Sequence, residues 1–510
     1  MIKGKGKTRL VVVLLLTLFY ILFLLDNRWG LGLPILNSLF VLSLLIFIPQ
    51  VGENKKSAFY LLASVGLSIF LAFRSFEPGR FITIVLVYLL NVLAIVRSRE
   101  PDEPLTIKTL ILAPILYIVR AIVQIGHSWS DLVPAINKIP ASKRCPINIS
   151  QLLGGALLGT ILVFLFTYLF IQADPLFARY FQNILSNFKL ELSTRALKRI
   201  IESIFVFGLF STLLRPQKDS FKEFSLIKEI GKHKVSVLVA TTAASLIIAL
   251  FLLVQAQELF AGKDLLEKMQ ISLSEYTRKG FFELILVSFV SLPLVYVLVQ
   301  KTEGGKKIFG ELGVAYLFIF EVLLLLGSAF RRVYLYQAEF GFTQARVLGI
   351  FLSIWLLGVL LVFLARLYGK IAQEKIAGLV FLNTVLVAFI MNFANTDYLV
   401  GIVKKPNLGY KVDHAYVTRP DISNDAWLGW EDALDYYSTS CDGDGFDAIS
   451  NLEFRLSTLE KNQEKGLRKI GAWVSSDNKA YEFLKKNEDK LRSLRSRLEN
   501  CLQLVPSPVL

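Results

Sequence analysis

Uninterrupted apolar runs of helical length constrain this chain more than any other feature. Each run is long enough to cross a hydrocarbon core of about 30 Å as a helix. Only helices and closed barrels satisfy their backbone polar groups inside lipid, and these runs lack the alternation of a barrel strand. We therefore predict an all-α fold, a polytopic transmembrane helical bundle of about eleven spans. The predicted spans are residues 10–25, 33–50, 58–73, 81–96, 151–171, 199–214, 235–255, 280–300, 312–330, 347–365 and 374–392.

The order of these runs divides the 510 residues into four parts. A length of this size would suit about three soluble domains, but 54% of the residues are hydrophobic. We predict a four-span N-terminal bundle over residues 1–97 and a cytoplasmic linker with an interfacial helix over 98–150. A seven-span bundle follows over 151–392, and residues 393–510 form a small, polar helical tail outside the membrane.

The distribution of basic residues predicts the orientation of the chain. The net charge of +15 would suit a nucleic-acid-binding protein, but the excess lies in connectors between spans, so we expect no nucleic-acid partner. Positive residues favour the cytoplasmic side, which places the N-terminus in the cytoplasm and the tail outside it. The apolar segment 106–125 contains Pro114 and Arg120, and a central arginine is costly in a span. We predict an interfacial or re-entrant helix there, although a further span stays open.

The tail carries the pattern of a small helical domain. Ser423 or Asn424 is a candidate N-cap, and acidic and aromatic residues follow it. Near the end of the chain, leucines recur at helical spacing and predict a helix with one buried face. They are Leu484, Leu491, Leu494, Leu498 and Leu502.

The segment CDGDGFD, residues 441–447, resembles part of a calcium-binding loop. Counted from Asp442, the position that needs the glycine of the sharp turn holds Asp447 instead. An inter-helix loop is therefore favoured over a cation site. Cys441 and Cys501 would face an oxidising compartment in the predicted orientation, so either a disulfide or two unpaired thiols is consistent with the sequence.

Ionisable side chains inside or beside the spans are the candidate functional residues. An intramembrane charge is expensive and is a functional hypothesis by default. Glu321 lies near the middle of its predicted span, and Glu202 and Glu283 lie toward the outer ends of theirs. A further four candidates fall in the predicted outer hairpin between two spans: Arg331, Arg332, Glu339 and Arg346. These groups either line a polar cavity or, alternatively, form structural pairs and contacts with lipid phosphates.

Enzyme motifs are weak in this sequence. It contains neither the GxSxG elbow nor the HExxH zinc helix, and its three histidines are scattered. We therefore expect no cofactor and no metal site, and favour a protein that is not an enzyme. A membrane enzyme acting on a lipid-linked substrate is the third hypothesis, with Asp174 or Glu321 as its acid.

Three motifs together resemble a bacterial membrane-protein family. They are ADPLF (173–177), YQAEFGFTQARVLGIFLSIW (336–355) and NFANTDYLV (392–400). The chain is similar over roughly residues 150–455 to a domain of unknown function, the type numbered 4153 or 4173. Two departures are Phe342, where leucine is more usual, and the stretch after Asp397. The resemblance implies a bacterial integral membrane protein without an assigned activity, and signature positions Asp174, Pro175, Gly341, Thr343, Arg346, Asn395 and Asp397.

Two functional hypotheses from different classes follow. The first is transport of a small polar or anionic solute through an outward-facing cavity lined by Glu321 and the outer arginines. The alternative is a non-catalytic module for envelope assembly or signalling, which binds a protein or lipid partner through its outer loops and tail. Both hypotheses place the chain in the bacterial cytoplasmic (inner) membrane, with the lipid bilayer as a partner.

Overall fold

The fold is taken from a computed structural model of the chain. The structure describes residues 2–25, 29–99, 194–214, 309–403, 407–408, 411–463 and 468–504, with short pieces between 105 and 118 and between 242 and 296. The predicted span 151–171 lies outside these residues, and so do most of 106–125, 235–255 and 280–300.

The described residues are mainly helical. In chain order the α-helices are α1 (Ile2–Phe23), α2 (Gly32–Phe47), α3 (Gln50–Glu53), α4 (Lys55–Phe73), α5 (Glu77–Arg99), α6 (Thr194–Leu213), α7 (Phe309–Phe340), α8 (Gln344–Leu367), α9 (Ile376–Ala394), α10 (Thr396–Tyr398), α11 (Trp430–Thr439), α12 (Asp444–Gln463), α13 (Arg468–Ala472), α14 (Ser475–Lys486) and α15 (Glu488–Leu504). Two short strands, β1 (Asn407–Leu408) and β2 (Lys411–Val412), pair antiparallel. This hairpin is a small departure from the predicted all-α fold.

Five helices are long and apolar enough to cross a membrane. They are Lys55–Phe73, Glu77–Arg99, Gly313–Leu335, Gln344–Leu367 and Gln373–Ala394. Three shorter apolar helices, Thr8–Phe23, Gly32–Phe47 and Glu202–Leu213, coincide with further predicted spans. The structure therefore supports a membrane-embedded helical bundle, whereas the full count of eleven spans stays a prediction.

The N-terminal helices and the last span pack on one another. Residues of α1, α2, α5 and α6 form one apolar cluster, and α7 and α8 form another. A third cluster joins Leu67 of α4 and Leu90 of α5 to Phe381 and Val385 of α9. Hydrogen bonds link Asn37 of α2 to Ser64 of α4 (3.1 Å) and Asn91 of α5 to Asn37 (2.8 Å). Such polar contacts hold helices together where lipid gives no hydrophobic driving force.

The predicted outer hairpin, residues 331–346, is mostly helix rather than a loop between two spans. Helix α7 continues to Phe340, so Arg331 and Arg332 lie on its last turns rather than in a loop. Only residues 341–343 separate α7 from α8. The charges of Arg331 and Arg332 led us to end the predicted helix at residue 330. A helix that leaves a membrane can continue with polar residues, because water satisfies their side chains.

The tail is a helical domain with its own core, as predicted. Trp430, Ile449 and Leu452 are buried at its centre. Four of the five predicted leucines, Leu484, Leu491, Leu494 and Leu498, belong to the same cluster. The side chain of Leu502 lies outside the described residues.

The tail rests on one end of the helical bundle. In the α1–α2 connector, the Gly30 amide donates to the carbonyl of Gly471 (3.1 Å), and the Leu31 amide donates to that of Trp473 (2.8 Å). The approach is so close that a Cβ on Gly471 would lie 2.1 Å from the carbonyl oxygen of Phe23. We call the helix ends on this side of the bundle the tail-side ends.

Candidate functional site

Two buried aspartates join the tail to the tail-side ends of the spans. Asp397 follows the last span and is 0% exposed, and Asp425 lies in the tail and is 2% exposed. Each accepts hydrogen bonds from a segment distant in sequence. We call these two residues and their hydrogen-bond partners the carboxylate junction.

Asp425 fixes the tail to the connector between α4 and α5. Its Oδ2 accepts from the backbone amides of Ser75 (2.9 Å) and Phe76 (3.0 Å), and from the Ser423 hydroxyl (3.3 Å). Burial raises the pKa of this carboxyl group, and the Ser75 amide, the Ser476 hydroxyl and the Arg74 charge partly offset the rise. The Asp425 carboxylate therefore holds the connector in a single position through the two backbone amides of Ser75 and Phe76.

Asp397 fixes the tail to the start of α8. The Gln344 side-chain amide donates to both of its oxygens, at 2.8 and 3.0 Å, and the Ser423 amide donates to Oδ2 at 2.8 Å. Burial raises the pKa of Asp397 to about 6, although the hydrogen bonds from Ser423 and Gln344 lower it. Asn395 shapes the approach, because its left-handed φ of 56° ends α9 and its side chain accepts from the Tyr398 amide (3.4 Å).

Two arginines beside the carboxylate junction bind backbone carbonyls. Arg74 donates to the carbonyls of Asn392 (3.0 Å) and Phe393 (3.1 Å) at the end of α9. Arg80 is 3% exposed and donates to the carbonyls of Leu71 (3.0 Å) and Arg74 (2.7 Å). A cation at a helix C-terminus is stabilised by unsatisfied carbonyls and the helix dipole. These arginines therefore tie the ends of α4 and α9 together.

The turn between α7 and α8 explains part of the sequence signature. Gly341 has a φ of 72°, which a glycine adopts without strain. Arg346 donates to the Gly341 carbonyl (2.9 Å), and the Gln344 amide donates to the Tyr416 hydroxyl (3.2 Å). Thr343 occupies the N-cap position of α8, but its side chain makes no capping hydrogen bond.

Glu321 is buried inside α7 in an apolar setting. It is 3% exposed, and its Oε2 accepts from the Ser245 hydroxyl at 2.8 Å. Within the part of the chain that the structure describes, its Oε1 has no hydrogen-bond partner. The core around it includes Phe318 and Val322 of the same helix and Leu325 one turn on.

The remaining candidates do not gather around Glu321 in the described residues. Glu202 is half-buried on α6, whose apolar residues belong to the cluster of α1 and α2. Arg331 is exposed and Arg332 is buried near the end of α7. Asp174, Glu283 and the side chain of Glu339 lie outside the described residues. Among the candidates whose side chains the structure describes, Asp397 alone is central to the carboxylate junction.

The tail contains a disulfide between Cys441 and Cys501. This resolves the alternatives that the sequence left open for the two thiols. The neighbouring segment is a turn before α12, where Asp442 accepts from the Tyr436 hydroxyl. Among the described residues, no group of three or more acidic, histidine or cysteine side chains is arranged to hold a metal ion.

Sequence reasoning missed Asp425 and Gln344. Asp425 follows a predicted N-cap, so its charge was explained by a helix start, and Ser423 does accept from its amide (3.3 Å). The partners of Asp425 lie about 350 residues earlier in the chain. Gln344 lies within the motif of residues 336–355, but it is uncharged and so was not a candidate functional residue. A single sequence gives no signal for either long-range contact.

Comparison with known proteins supports the sequence resemblance. The family model described as Domain of unknown function (DUF4153) matches residues 61–402, more than half of the chain. The match begins in α4, earlier than expected, and ends in the π-helical turn Leu399–Val403, at the start of the tail and short of the expected residue 455. Neither a curated protein nor a solved structure matches the chain.

Proposed function

We propose that this chain, which belongs to the DUF4153 family of domains of unknown function, is a non-catalytic module of a bacterial inner membrane. Its tail binds a lipid or protein partner at the membrane surface. The observation that carries this proposal is the carboxylate junction, in which Asp397 and Asp425 hold the tail against three separate tail-side segments. A domain fixed in this way presents a preformed surface, which lowers the entropic cost of binding.

The disulfide supports an extracytoplasmic tail. Disulfides persist in oxidising compartments and are rare in the cytosol, so Cys441–Cys501 fits a tail outside the cytoplasm. The connectors after α1 and α4 contact the tail, and these are the connectors that a cytoplasmic N-terminus places outside. The positive-inside argument and the disulfide therefore agree.

The junction favours this function over transport. Gln344, Ser75 and Gly30 belong to different spans or connectors, and all three donate hydrogen bonds to residues that follow the last span. Rocking of one set of spans against another, as in alternating access, would break these buried contacts. Such rocking would leave buried polar groups unpaired at about 1–3 kcal/mol each.

Photocrosslinking tests the proposal directly. A photoreactive amino acid is placed at Phe454, a 68% exposed side chain on α12, in the full chain in native membranes. Phe320, 57% exposed on α7, is the control for contact with bulk lipid. A discrete adduct at Phe454, lost when Asp425→Ala unseats the tail, supports the module. The same background at both positions would contradict it.

Transport remains the second candidate because of Glu321. A carboxyl group buried in a span with a single hydroxyl partner is the one described feature that favours a proton or solute pathway. Proteoliposomes test it through the proton leak of wild type and Glu321→Gln. A leak that the substitution abolishes supports a pathway, and equal leaks remove this candidate.

A further inference from the structure

A groove lies where the tail meets the ends of α4 and α9. Its volume is about 350 Å³. Aromatic and leucine side chains form one part, and two cations and several polar side chains form the other. Its lining includes Phe73, Arg74, Phe393, Asp425, Trp427 and Lys479.

The apolar part of the groove lies at the level where the spans end. Helix α4 ends at Phe73 and α9 ends at Ala394. Beside these ends, Phe393 is 78% exposed and Phe73 is 47% exposed. Aromatic side chains at the ends of spans favour the headgroup level of a bilayer. The groove is therefore open to lipid rather than to bulk water alone.

The polar part of the groove is suited to an anion. Arg74 uses two of its five N–H donors for the carbonyls of α9, which leaves three. Lys479 is exposed and makes no ion pair with any described residue. The 12-residue helix α14 begins at Ser475 without a side-chain cap, so its first amides add positive potential.

The acid in the lining does not cancel these charges. Asp425 is buried and directs Oδ2 at the amides of Ser75 and Phe76. Arg74 and Lys479 thus outnumber it among the charged groups of the groove. A guanidinium group and an ammonium group are the usual protein ligands of phosphate.

We infer that this groove binds the phosphate headgroup of an anionic membrane phospholipid. The headgroup lies between Arg74 and Lys479, and an acyl chain runs along Phe73 and Phe393. This inference rests on the proposed function, since it assigns the partner of the tail at its junction with the spans. A headgroup with its own quaternary ammonium would bring a third cation beside the two of the groove, so a net anionic lipid is favoured.

Quenching by brominated lipid tests the inference. The full chain is placed in phosphatidylcholine nanodiscs with increasing mole fractions of phosphatidylglycerol that carries brominated chains. The signal is the fluorescence of Trp427, obtained as the difference between wild type and Trp427→Phe. We expect quenching to saturate, with a midpoint that Lys479→Gln raises about fivefold, because one basic residue contributes about that factor to anionic-lipid binding.

The matched control is Lys486→Gln. Lys486 lies on the same helix and is also exposed, but it does not line the groove. It should leave the midpoint unchanged. Equal quenching by brominated phosphatidylcholine, or equal shifts in the two lysine variants, would overturn the inference. If either of those results were found together with a protein adduct at Phe454, the proposed function would still be supported, and only the assignment of the groove to a lipid would be wrong.

Discussion

Buried acids occur in two opposite settings in this protein. Asp425 and Asp397 each accept three hydrogen bonds at the tail-side ends of the spans, and backbone amides supply several of them. Glu321 lies in an apolar core within α7 and, among the residues that the structure describes, accepts one hydrogen bond, from Ser245. All three are at least nine-tenths buried.

The difference separates a structural role from a functional hypothesis. A carboxylate that pairs with backbone amides positions the segments that carry them, and its removal orphans those amides. A carboxyl group with one hydroxyl partner positions little, so its presence in a span calls for another explanation. Charge and depth in a span made Glu321 a stronger candidate than Asp397 in the sequence. The number of hydrogen-bond partners in the structure makes Asp397 the more important of the two for the architecture.

The largest expected effect is that of Asp425→Ala. The substitution leaves the buried amides of Ser75 and Phe76 without an acceptor. At about 1–3 kcal/mol for each orphaned group, the free energy of unfolding of the tail should fall by about 4 kcal/mol. Denaturant unfolding in micelles, followed by tail tryptophan fluorescence, measures it. Asp421→Ala is the control, because Asp421 is exposed and should change stability by less than about 0.5 kcal/mol.

The next effect is a dependence of tail stability on pH through Asp397. Its folded-state pKa of about 6 lies above the ordinary 3.8. The protonated carboxyl group therefore contributes its full stabilisation below about pH 4, and this is lost as the pH rises through 6. The free energy of unfolding of the tail should fall by about 3 kcal/mol over this pH range.

Asp397→Asn isolates this contribution. The amide does not titrate, and Gln344 can turn its own amide oxygen toward it. The raised pKa of Asp425 adds a dependence of the same sign in both proteins. The difference between wild type and variant, measured by tail unfolding at pH 4 and pH 7, therefore belongs to Asp397. Parallel stability curves for the two proteins would refute the assignment.

The smallest expected effect is that of Glu321→Gln on stability. The amide keeps an oxygen for the Ser245 hydroxyl and has nearly the same volume. We expect the melting temperature to change by less than about 3 °C, corresponding to roughly 1 kcal/mol. Ser245→Ala is the companion variant, since it removes the hydroxyl partner instead. If Glu321→Gln lowered stability as much as Asp425→Ala does, Glu321 would be a structural acid like Asp425.

The predictable part of this fold is the part that local pattern determines. The spans predicted at 58–73, 81–96, 347–365 and 374–392 each lie within a membrane-length helix of the structure, because length and hydropathy alone identify them. The tail leucines were predictable for the same reason, since helical spacing places them on one face.

The junction was not predictable, because its contacts join residues far apart in the chain. Asp397 was found only as a signature position, and its partner Gln344 is 53 residues away. Asp425 was hidden by its resemblance to an ordinary first-turn acid. The end of α7 was misplaced since Arg331 and Arg332 resemble a connector, although the helix extends to Phe340.

Hydrogen exchange at the α4–α5 connector tests the central claim most directly. In the folded chain the amides of Ser75 and Phe76 donate to Asp425 rather than to water. Peptides that cover this connector should exchange slowly in wild type and in Asp421→Ala. In Asp425→Ala they should exchange at least about tenfold faster, because a loss of more than about 1.4 kcal/mol in the free energy of opening raises the exchange rate by that factor. Rapid exchange in wild type, or the same slow exchange in Asp425→Ala, would show that the tail is not held by its buried carboxylates.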